Sequence, residues 1–93
     1  MTAAKDIAEI CSVLGAEARV RILELLKESC LCVGALAARL NVTQGAVSQH
    51  LRILRHAGLV TPERRGYYVH YRLNKDTLEE WKRALNKLLS SRK

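Results

Sequence analysis

Aromatic residues are scarce in this sequence: its 93 residues include no phenylalanine, one tryptophan and three tyrosines. With so few aromatic rings, the core must be built mainly from leucine, isoleucine, valine and alanine, a composition that favours helices. Hydrophobic residues still make up 48% of the chain, so a core can form without disulfides or a structural metal. The length suits one small domain, residues 1–93, and is too short for two.

Long hydrophobic runs are also missing. No apolar stretch approaches the ~20 residues of a membrane span, so we expect no membrane contact. Asp6 and Glu9 interrupt the first fifteen residues, which argues against a secretory signal peptide. The three cysteines are an odd number. Without a secretory signal they are expected to be reduced thiols, and the protein to be cytoplasmic.

Acidic residues are outnumbered, with nine Asp and Glu against sixteen Lys and Arg. The formal net charge is +7 and the isoelectric point is about 9.8. Such an excess of positive charge attracts polyanions, nucleic acid first and an anionic membrane surface second.

Apolar periodicity predicts a mainly α fold of about five helices. We place them near residues 3–14, 17–27, 33–40, 44–57 and 76–90. The turn Asn41-Val42-Thr43 joins the third and fourth of these into a helix-turn-helix. Thr43 is expected to cap the fourth helix and Gly58 to end it in a left-handed conformation.

Elsewhere the pattern indicates turns and strands. Residues 29–32 have the composition of a turn, and the capping-box spacing of Asp76 and Glu79 starts the last helix near Asp76. After Gly58 the period changes to two, which predicts a hairpin over residues 60–73. Arg64, Arg65 and Gly66 form its tip, and alternation places Tyr68, His70 and Arg72 on its exposed face. A hairpin directly after a helix-turn-helix predicts a winged helix-turn-helix.

The polar half of the fourth helix contains no acidic residue. Within an arc of about 140° lie Gln44, Ser48, Gln49, Arg52, Arg55 and His56. Amide, hydroxyl and guanidinium groups suit base edges and phosphates, so this face is predicted to bind duplex DNA. The tip arginines Arg64 and Arg65 are predicted to contact the DNA backbone or the minor groove.

The first and last predicted helices each carry an apolar stripe. The stripe residues are Ile7, Ile10, Leu14, Leu78, Trp81, Leu85 and Leu88. We expect them to form the seam of a homodimer, because a two-fold dimer can read two half-sites of an inverted repeat. Packing within a single protomer is a nearly equal alternative.

Three segments together resemble the ArsR/SmtB family of repressors: LGAEARVRILELL, TQGAVSQHLRILRHAGLV and RRGYYVHYRL. The resemblance implies a homodimeric winged helix that leaves its operator when an inducer binds. Thr43, Gln44, Ser48 and His50 occupy positions that match the family's recognition helix. The resemblance therefore adds His50 to the predicted DNA contacts. The position of His50 on the helical wheel supports a half-buried structural histidine equally well.

The cysteines are the candidates for sensing an inducer. Thiolates favour soft ions, and Cys30 and Cys32 are separated by one residue. Arsenic- and cadmium-responsive members carry a Cys-Val-Cys motif nearby, whereas Cys32 falls at its first cysteine and Gly34 at its second. Cys11 is a tentative third ligand, with a buried structural role as the alternative. No cofactor is required, and arsenite or another soft metal ion is the implied inducer. Thiol redox sensing and the absence of any thiol-dependent input stay open.

Enzymatic activity is not expected. The sequence contains no recognisable phosphate loop or acid pair, and a basic helical domain of this size has little room for a substrate cleft. A protein-interaction module is the more serious alternative, because winged helices also serve that purpose. The acid-free polar face of the fourth helix favours DNA.

Overall fold

The computed structural model describes residues 4–91, which contain five helices and three strands. In chain order these are α1 (Ala4–Leu14), α2 (Glu17–Glu28), β1 (Leu31–Cys32), α3 (Val33–Leu40), α4 (Gln44–His56), β2 (Val60–Arg65), β3 (Tyr68–Leu73) and α5 (Lys75–Leu89). The predicted winged helix-turn-helix is confirmed. Both ends of the predicted domain, including Ala3 of the first predicted helix, lie outside the described residues.

The turn between α3 and α4 has the predicted composition and geometry. Asn41 adopts a left-handed conformation with φ of 59°, which few residues other than asparagine and glycine tolerate. Its N–H and that of Val42 both donate to the carbonyl of Ala37, which ends α3. The Thr43 hydroxyl accepts a 3.1 Å hydrogen bond from the N–H of Ala46 and so caps α4. Local chemistry therefore fixes the entry into α4.

The exit from α4 is a Schellman motif. The N–H of Leu59 donates to the carbonyl of Leu54 at 3.0 Å, and that of Gly58 to Arg55 at 2.9 Å. Gly58 has φ of 80°, a conformation that a residue with a Cβ adopts at a cost. The glycine stops the helix abruptly and directs the chain into β2.

The strands form one antiparallel sheet in the order β1-β3-β2. β2 and β3 are joined by the two-residue loop Gly66–Tyr67, and only Gly66 has a positive φ, the pattern of a type II′ turn. Tyr67 therefore lies in the loop and not in the strand. The predicted turn at residues 29–32 is wrong in part, because Leu31–Cys32 pairs with β3 as a third strand.

This third strand also changes the environment of His70. Cys32 lies opposite His70 in the β1–β3 register, so the two side chains lie side by side on the same face of the sheet. His70 is half-buried, and its Nδ1 is a buried atom without a hydrogen-bond partner among the described residues. The prediction of a fully exposed His70 is therefore wrong.

The start of α5 differs from the prediction by one residue. The side-chain oxygen of Asn74 accepts from the N–H of Thr77 at 3.4 Å, and the helix begins at Lys75. Asp76 lies in the first turn, where its negative charge complements the helix dipole. The predicted capping box of Asp76 and Glu79 is not formed.

The core is aliphatic, as the scarcity of aromatic residues predicted. Its fully buried members come from α2, the helix-turn-helix and the residue just before β2, and no polar side chain among the described residues is buried. The largest are Ile22, Leu36, Leu51, Leu54, Leu59 and Val47. This core holds α3 against α4 and the sheet against both. Over residues 4–91, no helix has the length and apolar character needed to cross a membrane.

Candidate nucleic-acid interface

The exposed face of α4 coincides with the predicted polar arc. Exposed side chains are Gln44, Ser48, Gln49, Arg52, Arg55 and His56. On the opposite side Val47, Leu51 and Leu54 are almost completely buried, and they anchor the helix to the core. Ile53 lies outside the polar arc, yet 41% of its surface is exposed. The cap at Thr43 and the buried stripe together present one polar face outward.

The charges of this face are unpaired. The ion pairs within residues 4–91 join Glu63 to Arg65 and Arg72, and Glu79 to Arg83, so none involves α4. Arg52 and Arg55 are exposed to solvent, and α4 has no acidic residue to offset their charge. A run of like charge with no internal partner is the electrostatic pattern expected of a polyanion-binding surface.

The hairpin of β2 and β3 presents two arginines at its tip. Arg64 and Arg65 are both exposed, but as neighbours in β2 they point to opposite faces of the strand. Glu63 lies 3.7 Å from Arg65 and 3.5 Å from Arg72, in exposed pairs that contribute little to stability. Arg64 has no such partner within the described residues. The two arginines that the sequence treated alike are therefore electrostatically different.

Two tyrosines at the same tip were not predicted as contacts. Tyr67 is 97% exposed and Tyr68 is 65% exposed. No burial requirement explains one exposed tyrosine in the loop and a second at the start of β3, and their hydroxyl groups can bond phosphate oxygens. The signal that could have identified Tyr67 is Gly66, whose freedom to adopt a positive φ marks the loop.

His50 is half-buried near the middle of α4. Its Nδ1 lies 3.1 Å from Nη1 of Arg19, a residue of α2 that the sequence did not single out. The two residues are 31 positions apart, so neither helical nor strand periodicity connects them. His50 is thus half-buried and bonded to another helix, as the structural alternative predicted. Its second ring nitrogen, Nε2, is left available for a further hydrogen bond.

The three cysteines are free thiols and do not converge. Cys30 and Cys32 are half-buried on either side of Leu31; Cys32 lies in β1, and Cys30 directly precedes that strand. Cys11 is exposed on α1, so the alternative of a buried structural cysteine is wrong in the protomer. The twelve residues of α2, about 18 Å, separate Cys11 from Cys30. Among residues 4–91, no three His, Cys, Asp or Glu side chains are grouped to hold a metal.

The apolar stripes of α1 and α5 divide into two parts. Ile10 is buried, and Leu14, Leu78 and Trp81 pack against the protomer's own core. Ile7 and Leu85 are half-buried. Toward the end of α5, Leu88 is 57% exposed and Leu89 is 77% exposed. The intramolecular alternative thus applies to the first half of α5, while its last turn keeps an uncovered apolar surface.

These features define a winged helix-turn-helix protein in which the second helix of the motif, α4, is basic and faces outward. Residues 16–61 match the family model described as "Bacterial regulatory protein, arsR family". The chain is 49% identical over 65 residues to the HTH-type transcriptional repressor SmtB of Mycobacterium tuberculosis, covering 70% of this chain and 48% of that protein. The chain therefore spans about half the length of this curated relative.

Solved structures agree with this match. A possible transcriptional regulator for arsenical resistance superposes with a TM-score of 0.80 at 34% identity, covering 86% of this chain and 83% of that one. A homodimeric winged helix-turn-helix DNA-binding domain from Mycobacterium bovis gives a TM-score of 0.72 at 25% identity, covering 90% and 82%. The chain belongs to the ArsR family, a family of regulatory proteins and not of enzymes.

Proposed function

We propose that the protein is a transcriptional repressor that binds operator DNA through α4 and the hairpin, which we now call the wing. The observation that carries this proposal is the exposed face of α4, where Arg52 and Arg55 have no acidic partner among residues 4–91. The similarity to a mycobacterial repressor supports repression and not activation of transcription. We propose further that residues 1–93 act as one winged-helix domain in the cytoplasm.

The geometry supports a division of labour along α4. The cap Thr43 and the helix residues Gln44 and Ser48 form the start of α4, the part that reaches base edges when a recognition helix enters the major groove. The Gln44 and Gln49 amides can form paired hydrogen bonds with adenine. Arg52 and Arg55 lie further along the helix, where phosphate contacts fit their reach and charge. Arg64, Arg65 and Tyr67 extend this surface from the wing.

We propose a homodimer in which the exposed end of α5 takes part in the seam. Leu88 and Leu89 leave an apolar surface that the protomer does not cover, and the similar Mycobacterium bovis domain is homodimeric. Ile7 and Leu85 border the seam as half-buried side chains. Two protomers related by a two-fold axis would match an operator with inverted-repeat symmetry.

Replacing Arg52 by alanine is expected to weaken DNA binding without unfolding the domain. Arg52 is exposed, so its loss removes a cation from the interface and no contact from the core. Affinity should fall on specific and random duplexes alike, and the slope of log K against log[salt] should become shallower by about one unit. Fluorescence anisotropy titrations at several salt concentrations measure both quantities.

Arg21→Ala serves as the matched control for this variant, because Arg21 is an exposed arginine of α2, outside the helix-turn-helix. The two variants have the same net charge, so an equal effect would point to overall charge and not to α4. Wild-type affinity and slope in Arg52→Ala would remove Arg52 from the interface.

We also propose that the inducer acts on Cys30 and Cys32. Cys32 immediately precedes α3 and pairs with His70 of β3, so a ligand on these thiols would lie between the helix-turn-helix and the wing. Arsenite fits the chemistry of two adjacent thiols. Each new As–S bond replaces an As–OH bond, and the thiol proton leaves with that hydroxide as water. The similarity to a possible regulator of arsenical resistance supports this choice over thiol oxidation.

A further inference from the structure

Arg19 of α2 connects three helices. Its Nε donates to the carbonyl of Val13 at 2.6 Å and its Nη2 to the carbonyl of Ser12 at 3.3 Å, both in the last turn of α1. Its Nη1 lies 3.1 Å from Nδ1 of His50 in α4. One side chain thus joins α1 to the helix proposed to read DNA.

Local preferences do not explain an arginine at this position. Arg19 is the third residue of α2, where the helix dipole disfavours a positive charge. The last turn of α1 has no basic residue of its own, and its final carbonyls lack partners within the helix. Arg19 supplies both the charge and the donors that this end of α1 needs. The placement is unfavourable for α2 alone and favourable only for the assembled helices.

The contact with Arg19 also determines which nitrogen of His50 carries the proton. A guanidinium group has five N–H donors and no acceptor, so Nδ1 of His50 must accept. The proton of the neutral ring is then on Nε2. Among residues 4–91, Nε2 has no hydrogen-bond partner, and it is not one of the buried unpartnered side-chain atoms. Nε2–H therefore reaches solvent as a hydrogen-bond donor.

We propose that Arg19 is a positioning residue for DNA binding. By accepting from Arg19, His50 keeps its ring orientation and directs Nε2–H from the edge of the polar face toward a DNA phosphate oxygen. Arg19 itself does not touch DNA. This inference rests on the proposed function, since it assigns roles within the same α4 surface. The hydrogen bonds to the last turn of α1 and the orientation of the His50 Nε2–H donor then both depend on the side chain of Arg19.

The first test needs no DNA. Nitrogen NMR of the His50 ring in the whole protein, at a pH where the ring is neutral, should show Nε2 protonated and Nδ1 unprotonated. In Arg19→Met, which removes every donor but keeps a long side chain, the two tautomers should mix. A wild-type ring protonated on Nδ1 overturns the proposal, and so does a spectrum that Arg19→Met leaves unchanged.

The second test is a double-mutant cycle on duplex binding. Arg19→Met and His50→Ala should each lower affinity about five- to tenfold, as expected for one hydrogen bond. The double variant should lose no more than either single one. His50→Gln places an amide donor near the position of Nε2 without needing Arg19. It should bind within about twofold of the wild type and become insensitive to Arg19→Met.

The salt dependence separates positioning from direct contact. Arg19→Met should keep the wild-type slope, whereas a direct phosphate contact by Arg19 would make the slope shallower by about one unit. That shallower slope, or additive losses in the cycle, overturns the proposal. Chemical unfolding of each variant corrects the measured affinities for the fraction folded.

Arg52→Ala serves as the reference variant for duplex binding. If it weakens binding and the Arg19 variants do not, the positioning role is wrong and the proposed function stands. If the wild type binds no duplex, the proposed function fails, and the role of Arg19 in DNA binding fails with it. The NMR result still decides whether Arg19 sets the His50 tautomer.

Discussion

A protein carrying Leu88→Glu and Leu89→Glu is expected to be a soluble, folded monomer that binds operator DNA at least about 100-fold more weakly than the wild type. Both side chains are largely exposed in the protomer, so their replacement leaves its core intact. A buried seam, however, cannot accept four carboxylates per dimer without large desolvation and repulsion costs. Sedimentation velocity gives the oligomeric state, circular dichroism the fold and anisotropy the affinity.

The control for this variant is Leu88→Lys with Leu89→Lys. It disrupts the same apolar surface with the opposite charge, so weaker binding in both variants cannot be attributed to repulsion between carboxylates and DNA. Trp81→Glu is less informative, because Trp81 packs against the protomer's own core and its replacement would destabilise the fold as well. A wild-type protein that sediments as a monomer at micromolar concentration would contradict the dimer.

Arsenite is expected to lower the DNA affinity of the wild-type protein by about 100-fold, within the usual range for linked sites. Cys30→Ser and Cys32→Ser should each abolish this response and leave affinity without arsenite near that of the wild type. The reason is their position, since Cys32 begins the segment that carries α3, and α3 packs behind α4. A ligand shifts the equilibrium only if its affinity differs between the DNA-bound and free conformations.

Cys11→Ser is the matched control, because the length of α2 separates Cys11 from the other thiols within a protomer. It should respond to arsenite like the wild type. A parallel titration with peroxide separates oxidation from metalloid binding, since release by peroxide alone would assign the thiols to redox sensing. If the Cys30→Ser, Cys32→Ser double variant still releases DNA with arsenite, the sensing site lies elsewhere.

The sequence predicted best the features that short-range chemistry determines. The Thr43 cap, the left-handed Asn41 and the glycine exit at Gly58 each depend on neighbours within a few residues. The polar face of α4 followed from a period of 3.6 over thirteen residues, which is long enough to identify a buried stripe. These features were sufficient to predict the fold and the face proposed to bind DNA.

The features that the sequence missed depend on contacts between distant segments. β1 has two residues, too few to show a period, and it exists because β3 lies beside it. Asn74 and Asp76 can both cap a helix. Because β3 ends at Leu73, the chain turns at Asn74, and this residue caps α5. The contact between Arg19 and His50 joins residues that only the packing of α2 against α4 brings together. No local pattern contains that information.

The dimer stripe shows a further limit of periodicity. An apolar stripe indicates that a helix face is buried but does not identify its partner. The structure divides the stripe, with Leu78 and Trp81 against the protomer's core and with Leu88 and Leu89 uncovered. The residues that best test dimerisation therefore come from the structure and not from the pattern.

The salt dependence of duplex binding by the wild-type protein tests the central claim most directly. Fluorescence anisotropy would compare the duplex upstream of the protein's own gene with a scrambled duplex of equal length. If Arg52, Arg55, Arg64 and Arg65 of two protomers contact phosphates, log K against log[salt] should fall with a slope of about −7 on both duplexes. The upstream duplex should bind more tightly at every salt concentration. Absence of duplex binding at low salt, or an affinity that salt does not change, would contradict the account.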